Sequence, residues 1–290
     1  MTSIPVRPVL TRSAGVVTSR FLRRNPLATL GLILLAAWLF ISVAAPLVSP
    51  AQPRKQNIAK RMTPPGSAFP FGSDQLGRDV MTRVFYGGRT SLPGGIVVVV
   101  CAMLIGTFLG AIAGFVGGWV DELVMRLTEV FLAFPTIILA MTIAAALGPS
   151  LINAIIAMIV VWWPGFTRLV RAQVMSTKRR EYVEAARALG VSPVRLLWRT
   201  ILPNCIAPII VLATTDLGTA ILVFAGLSFL GLGPDPSVPE WGRMIADGTQ
   251  FFDQWWMSAF PGLAIFTIVL AFNFIGDGVR DALDPRLRNE

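Results

Sequence analysis

Charged residues are absent from five long stretches of this 290-residue chain: 25–53, 90–120, 130–167, 217–234 and 254–276. A helix needs about 20 predominantly apolar residues to cross a bilayer, and runs of this length exceed what soluble core helices use. The pattern predicts an all-α membrane protein with six transmembrane helices, at 27–49, about 90–118, about 122–147, about 151–173, about 204–230 and about 256–277. The third and fourth share one uncharged run, divided by the turn Gly148-Pro149-Ser150. The remaining chain divides into an N-terminal segment 1–26, a loop 50–89, a polar insert 174–203 within a five-helix core 90–277, and a tail 278–290. No short-period repeat or low-complexity linker is visible, so all six helices are expected to form one membrane domain.

Polar positions add detail to the first loop. In "FGSDQLGRDVMTRVFYGGRTSL" (71–92), Ser73 is a candidate N-cap, and Leu76, Val80, Met81, Val84 and Phe85 fall on one helical face. Gly87-Gly88 is expected to end that helix. The reading is a short amphipathic helix on the membrane surface, setting the entry angle of the second span. Within that span Gly106, Gly110 and Gly114 recur every four residues. Small residues on one face let another helix approach closely, and packing within the same bundle is preferred to a dedicated dimer contact. Pro135, Pro164, Pro208 and Pro261 lie in four different spans, each removing a helical hydrogen bond and inviting a kink.

Composition narrows the function. Charged residues make up 14% of the chain, against roughly 25% in soluble domains. The net charge of +9 comes from basic residues flanking the apolar runs, as the positive-inside bias requires, and there is no nucleic-acid-binding motif. With the N-terminus inside, the inner segments are 1–26, a turn near 119–121, 174–203 and 278–290. The first holds five arginines, and the third holds Lys178, Arg179, Arg180, Arg187, Arg195 and Arg199. The outer loop 231–255 has Arg243 against four acids. The loop 50–89 runs against the bias with seven basic residues, among them Arg54, Lys55, Lys60 and Arg61. Arg20, Arg23 and Arg24 before an apolar stretch resemble a signal peptide. The uncharged stretch is far longer than the roughly 7–15 residues of such a core, so an uncleaved first membrane helix is expected. Cys101 and Cys205 both fall in or beside apolar spans, which argues against a structural disulfide. Two cysteines without any histidine make no zinc site. The missing histidine also removes the commonest general base. No GxxxxGK[ST] loop is present to bind nucleotide phosphates.

The stretch "EYVEAARALGVSPVRLLWRTILPN" (181–204) interrupts the apolar sequence with two acids and three arginines. It reads as two short helices joined by a turn. Val183, Ala186 and Leu189 form an apolar line on the first, with Ala185 and Ala186 keeping one side thin, and Gly190 ends it. Ser192 as N-cap and Pro193 at the first helical position start the second, whose apolar face is Val194, Leu197 and Trp198. Such an element is suited to entering a groove on another protein. An ordinary amphipathic surface helix fits the same pattern.

Glu184-Ala185-Ala186, then Gly190, then Leu202-Pro203 resembles the EAA motif of permease subunits of binding-protein-dependent ABC importers. Thr200 stands where the general pattern has an aliphatic residue, with Ile201 adjacent. Residues 71–92, "LSFLGLGPDPSVPEWGRMIADG" (227–248) and "GDGVRDALDPRLR" (276–288) are similar to the oligopeptide/dipeptide/nickel branch, in its second, C-type permease. Many members carry an acid where Phe224 stands here. The resemblance implies a type I importer bundle in a bacterial or archaeal cell (inner) membrane, with both termini cytoplasmic. It further implies a second homologous permease, an extracytoplasmic substrate-binding protein, and two ATPase subunits that bind ATP and Mg. Residues 181–204 would then be a coupling helix docked on an ATPase subunit, through Glu184, Ala185, Ala186, Leu189 and Gly190. No cofactor, catalytic residue or metal site is expected in this chain, and no nucleic-acid partner; membrane lipid surrounds it. Oligopeptides or dipeptides are the expected cargo, with nickel chelates, glutathione or another small solute as alternatives.

Asp216 is the one acid deep in a predicted span, flanked by Thr214 and Thr215. It is a candidate for contact with substrate or partner, or a carboxylate satisfied by neighbouring hydroxyls. Glu129, about two turns into the third span, is expected to interact near the inner interface. A membrane-embedded enzyme would need a convergent acid–base or metal constellation, which the sequence does not offer. A self-contained channel or secondary transporter is the nearer rival.

Overall fold

The computed structural model describes residues 25–49 and 51–283. The arginines of the N-terminal segment before Asn25, and the end of the 276–288 stretch, lie outside the described residues. Among those described the regular secondary structure is helical, apart from one isolated bridge between Ser73 and Asp79. Five helices are long and apolar enough to cross a membrane, and a bent pair makes six when its halves are taken as one span.

Helix α1 (Pro26–Val43) opens with Pro26, which suits a first helical position. It is apolar all round and buries only Ala28, Gly31 and Ser42, as a peripheral helix in lipid would. Trp38 Nε1 donates to Thr267 Oγ1 at 2.9 Å, fixing α1 to the last helix. A single turn, Ala45–Val48, follows.

Helix α2 (Val80–Val116) corrects the reading of the first loop. No separate amphipathic helix starts at Ser73 and ends at Gly87-Gly88. The helix starts after Asp79, whose Oδ2 accepts from Thr82 N at 3.0 Å, and runs unbroken through both glycines and Pro93. The Asp79 cap won because Ser73 is engaged elsewhere. Its hydroxyl donates to Lys60 O at 2.5 Å and accepts from Thr63 N at 2.8 Å, tying the loop to itself. Val80 and Val84 are buried at 1% exposure in the protein core rather than laid on a membrane surface. Gly87 and Gly88 serve close approach, not termination. A Cβ there would stand 2.8 Å from Trp241 Cδ1 and 2.1 Å from Ser42 Oγ respectively.

Helices α3 (Gly118–Leu132) and α4 (Thr136–Leu147) correct the third span, which is broken with a bend of 88°. Pro135 has no N–H to give and disfavours helix in the residue before it, so the break falls there. Pro164 and Pro261, by contrast, sit inside continuous helices. Asn153 Nδ2 donates to Leu147 O and Gly148 O at 2.8 and 2.9 Å, closing the turn into α5 (Leu151–Thr177).

Helix α5 packs along α2 through the three spaced glycines, an arrangement inside one bundle as expected. A Cβ on Gly106, Gly110 or Gly114 would come within 2.6 Å of Trp163 O, 2.4 Å of Thr167 O or 2.8 Å of Arg171 O. The two backbones therefore touch over three turns. Beyond α5 come α6 (Glu181–Ala188) and a tight succession of turns, Pro193–Arg195, Leu196–Ile201 and Leu202–Cys205. These lead into α7 (Ile206–Phe229). Helix α8 (Trp241–Gly248) and the long α9 (Trp256–Leu283) complete the fold.

Candidate functional site

The insert after α5 is tied to the bundle on one side and open on the other. Glu181 and Glu184 occupy the first turn of α6, where carboxylates complement the positive end of the helix. The helix ends in a Schellman motif: Gly190 N donates to Arg187 O at 3.0 Å and Val191 N to Ala186 O at 3.2 Å. That geometry places Gly190 at φ +79°, in open space.

Val183 and the next segment's Leu196, Leu197, Ile201 and Cys205 are buried together with Val174 of α5 in one core cluster. Lys178 Nζ donates to Gly114 O at 2.7 Å, anchoring the end of α5 to the end of α2. Arg171 holds Asp121 of α3 through two hydrogen bonds, one of them 2.6 Å from Nη2 to Oδ2. These contacts join the insert and the end of α5 to the ends of α2, α3 and α7.

Glu184, Ala185, Leu189 and Gly190 are all exposed, and Ala186 is half-buried, packed under them. Two expected apolar faces change. Leu189 is not on the inner line with Val183 but 86% exposed, because the helix turns back at Gly190. In the following segment the buried pair is Leu196 and Leu197, while Val194 is 71% exposed and Trp198 41%. The shift follows from the wide π-type turns of Leu196–Ile201, which a regular helical period does not describe. The outcome is an outward surface with acids at one end and Leu189 and Val194 at the other.

The opposite end of the bundle brings together the two stretches 71–92 and 227–248. Asp74 accepts from Arg78 Nε at 2.5 Å, and Arg78 and Arg83 lie 3.7 and 3.8 Å from Asp247 and Asp74. Arg83, 1% exposed, also donates to Pro53 O at 3.1 Å and Pro236 O at 3.4 Å. Glu240 caps α8, accepting from Gly242 N at 3.0 Å, Arg243 N at 2.8 Å and Ser91 Oγ at 3.1 Å. Burial pushes its carboxyl above the usual glutamate range, against the pull of those amides. Trp241 Nε1 donates to Val84 O at 2.8 Å. Two of the seven basic residues of the 50–89 loop, Arg78 and Arg83, are therefore consumed in a buried latch. The partners that join the two stretches, Ser91 with Glu240 and Arg78 with Asp247, were not legible as pairs, because the stretches lie some 150 residues apart in sequence.

Asp216 does not rely on its threonine neighbours. Thr214 and Thr215 hydroxyls donate to backbone carbonyls of Ile210, Val211 and Leu212 in their own helix. Asp216 Oδ2 instead accepts from Trp162 Nε1 of α5 at 3.1 Å. Glu129 is exposed and lies 4.0 Å from Arg126, which also lies 3.7 Å from Glu122. An apolar groove of about 440 Å³ between α7, α8 and α9 is lined by groups such as Leu222, Phe229, Ile265 and Phe266. It has nothing to recognise a polar solute. Among the described residues no three Cys, Asp or Glu side chains are placed to hold a metal ion.

Residues 106–289 match the family of the binding-protein-dependent transport system inner membrane component. Residues 17–65 match the N-terminal TM domain of oligopeptide transport permease C. The chain is 46% identical to the dipeptide transport system permease protein DppC of Alkalihalophilus pseudofirmus, over 92% of this chain and 88% of that one. It is 44% identical to DppC of Escherichia coli, over 92% of each. It is also 40% identical to the probable D,D-dipeptide transport system permease protein DdpC of the same organism, over 95% of this chain and 93% of that one.

Proposed function

This chain belongs to the family of binding-protein-dependent transport system inner membrane components, and on that premise we propose that it is a permease subunit of an ATP-driven importer of dipeptides or other short peptides. It forms half of the translocation pathway beside a second, homologous permease. Two ATPase subunits bind ATP and Mg, one of them meeting this chain through residues 181–204, and an extracytoplasmic binding protein delivers the peptide on the opposite side. Both termini face the cytoplasm in this reading, supported by the basic residues clustered at 178–199.

The observation that carries the reading is the pairing of an exposed, Schellman-capped α6 with buried anchors in Val183 and Leu196 and a half-buried one in Lys178. Such an element is free to dock and too firmly tied to move alone. The test is uptake of a labelled dipeptide by vesicles holding this chain and its co-purified partners. Uptake requiring both ATP and binding protein is expected. A chain that purifies alone and passes solute without ATP would be a channel or secondary transporter.

Asp216 is the pathway candidate within that reading. Asp216→Asn keeps an acceptor for Trp162 Nε1 and removes only the charge. Peptide uptake should change while the amount of protein in the membrane does not. Asp216→Ala leaves the indole N–H unpaired, a loss of about 1–3 kcal/mol if it stays buried, and should lower the amount of protein as well. Equal losses of uptake and protein in the Asn variant would make Asp216 a structural residue only.

A further inference from the structure

The charged stripe on α3 faces outward along an apolar span, where lipid accepts charge poorly. Glu122, Arg126 and Glu129 follow at four- and three-residue spacing, on one side of the helix. Their side chains are 71%, 73% and 69% exposed, and among the described residues they form ion pairs only with one another.

Two contacts fix the depth of α3 against α5. Near its start Asp121 is held by Arg171, and near its end the ring of Phe131 meets Trp163 edge-on at 5.4 Å. Trp163 lies midway along α5, a helix of 27 residues, so about 20 Å from either end at 1.5 Å per residue. Glu129, two residues before Phe131, therefore lies about 12 Å along α3 from Asp121, inside the apolar stretch and not at its end. The adjoining Trp162 holds Asp216, so two carboxylates share this level on neighbouring sides of α5. Ionisable groups at such depth face a water-filled cavity or a partner rather than acyl chains. Glu129 points away from its own bundle, which leaves the cavity or partner on its outer side.

We infer that the Glu122–Arg126–Glu129 stripe lines the water-filled passage, with Glu129 its innermost charge, opposite the second permease. The inference rests on the proposed function for what moves through the passage, but not for the presence of water. The apolar residues beside the stripe, Leu123, Leu127 and Val130, are 49–62% exposed and fit the dry contact that borders it. A net negative stripe there would favour the cationic end of a peptide over its carboxylate.

The test is labelling of single cysteines in native membrane vesicles that hold the whole system, with Cys101 and Cys205 replaced by Ala. A charged, membrane-impermeant thiol reagent is applied to Glu129→Cys, to Glu122→Cys, and to Ile33→Cys on peripheral α1 as the lipid-facing reference. Reaction of both α3 cysteines at least about tenfold faster than Ile33→Cys is expected, since hydrocarbon excludes a charged reagent. Rates at Glu129→Cys no faster than at Ile33→Cys mean lipid or a dry interface, and overturn the assignment. Because the readout is water access and not uptake, it stands whether or not peptide is the cargo. If the Glu129→Cys protein fails to accumulate, Arg126→Cys, three residues earlier on the same stripe, decides in its place.

Discussion

A valine at Gly110 will keep the bundle from assembling. The Cβ it adds would lie 2.4 Å from Thr167 O and 3.0 Å from Arg171 N, both backbone atoms of α5 that cannot swing aside. Overpacking in an adaptable core costs about 1–3 kcal/mol, and here the only relief is to separate two helices along their common face. That separation would also pull Arg171 from Asp121 and Lys178 from Gly114 O, so several hydrogen bonds fail together. Total stabilities of about 5–15 kcal/mol leave little reserve against such a sum. Membrane-inserted, monodisperse protein should fall to a small fraction of the parent level. Gly165→Val is the control, because nothing stands within 4 Å of a Cβ there. Equal yields from the two variants would contradict the packing described for α2 and α5.

The helix-packing glycines show what the sequence made legible. Their four-residue spacing within an uncharged run points to one close interface, and the structure supplies the partner, α5. The Gly190 turn and the Pro193 start were legible for the same reason, since both depend on local backbone chemistry. Errors arose where tertiary partners override local signals. Ser73 has the chemistry of an N-cap, but the carbonyl of Lys60 and the amide of Thr63 claim it. Gly87-Gly88 reads as a stop, yet it is the seat of Trp241 and Ser42. The break at Pro135 was marked by the proline itself, although its 88° angle was not. Leu189 and Val194 changed face because the turns between α6 and α7 abandon the regular helical period. The tie of Arg78 to Asp247 joins residues that only the fold brings together.

The second large effect is expected at the surface of α6. Gly190 holds φ +79° with nothing near its Cβ position, so a side chain there meets backbone strain rather than a clash. Gly190→Asp places a non-glycine in the left-handed region, at roughly 1–2 kcal/mol, and adds a charge beside exposed Leu189. Strain of that size lowers occupancy of the native turn by about five- to thirty-fold, at 1.36 kcal/mol per factor of ten. Gly190→Asn should lose less, because asparagine tolerates this conformation best after glycine. Glu184→Lys is the complementary variant. Reversing an exposed charge in the first turn costs the helix only about 0.3–1 kcal/mol, too little to unfold a segment anchored by Val183 and Leu196. A strong functional loss would therefore report docking and not folding. In both variants Lys178 and the buried anchors are untouched, so the membrane bundle should accumulate normally.

The measurement that bears most directly on this account is ATP hydrolysis by the reconstituted complex, with and without binding protein, alongside recovery of the ATPase subunits on the purified permease. For Gly190→Asp and Glu184→Lys, loss of stimulated hydrolysis with weakened subunit recovery is expected, while the external protein still binds its peptide. Normal recovery and normal stimulation in both variants would mean that residues 181–204 are only a surface loop, and that force reaches the bundle elsewhere.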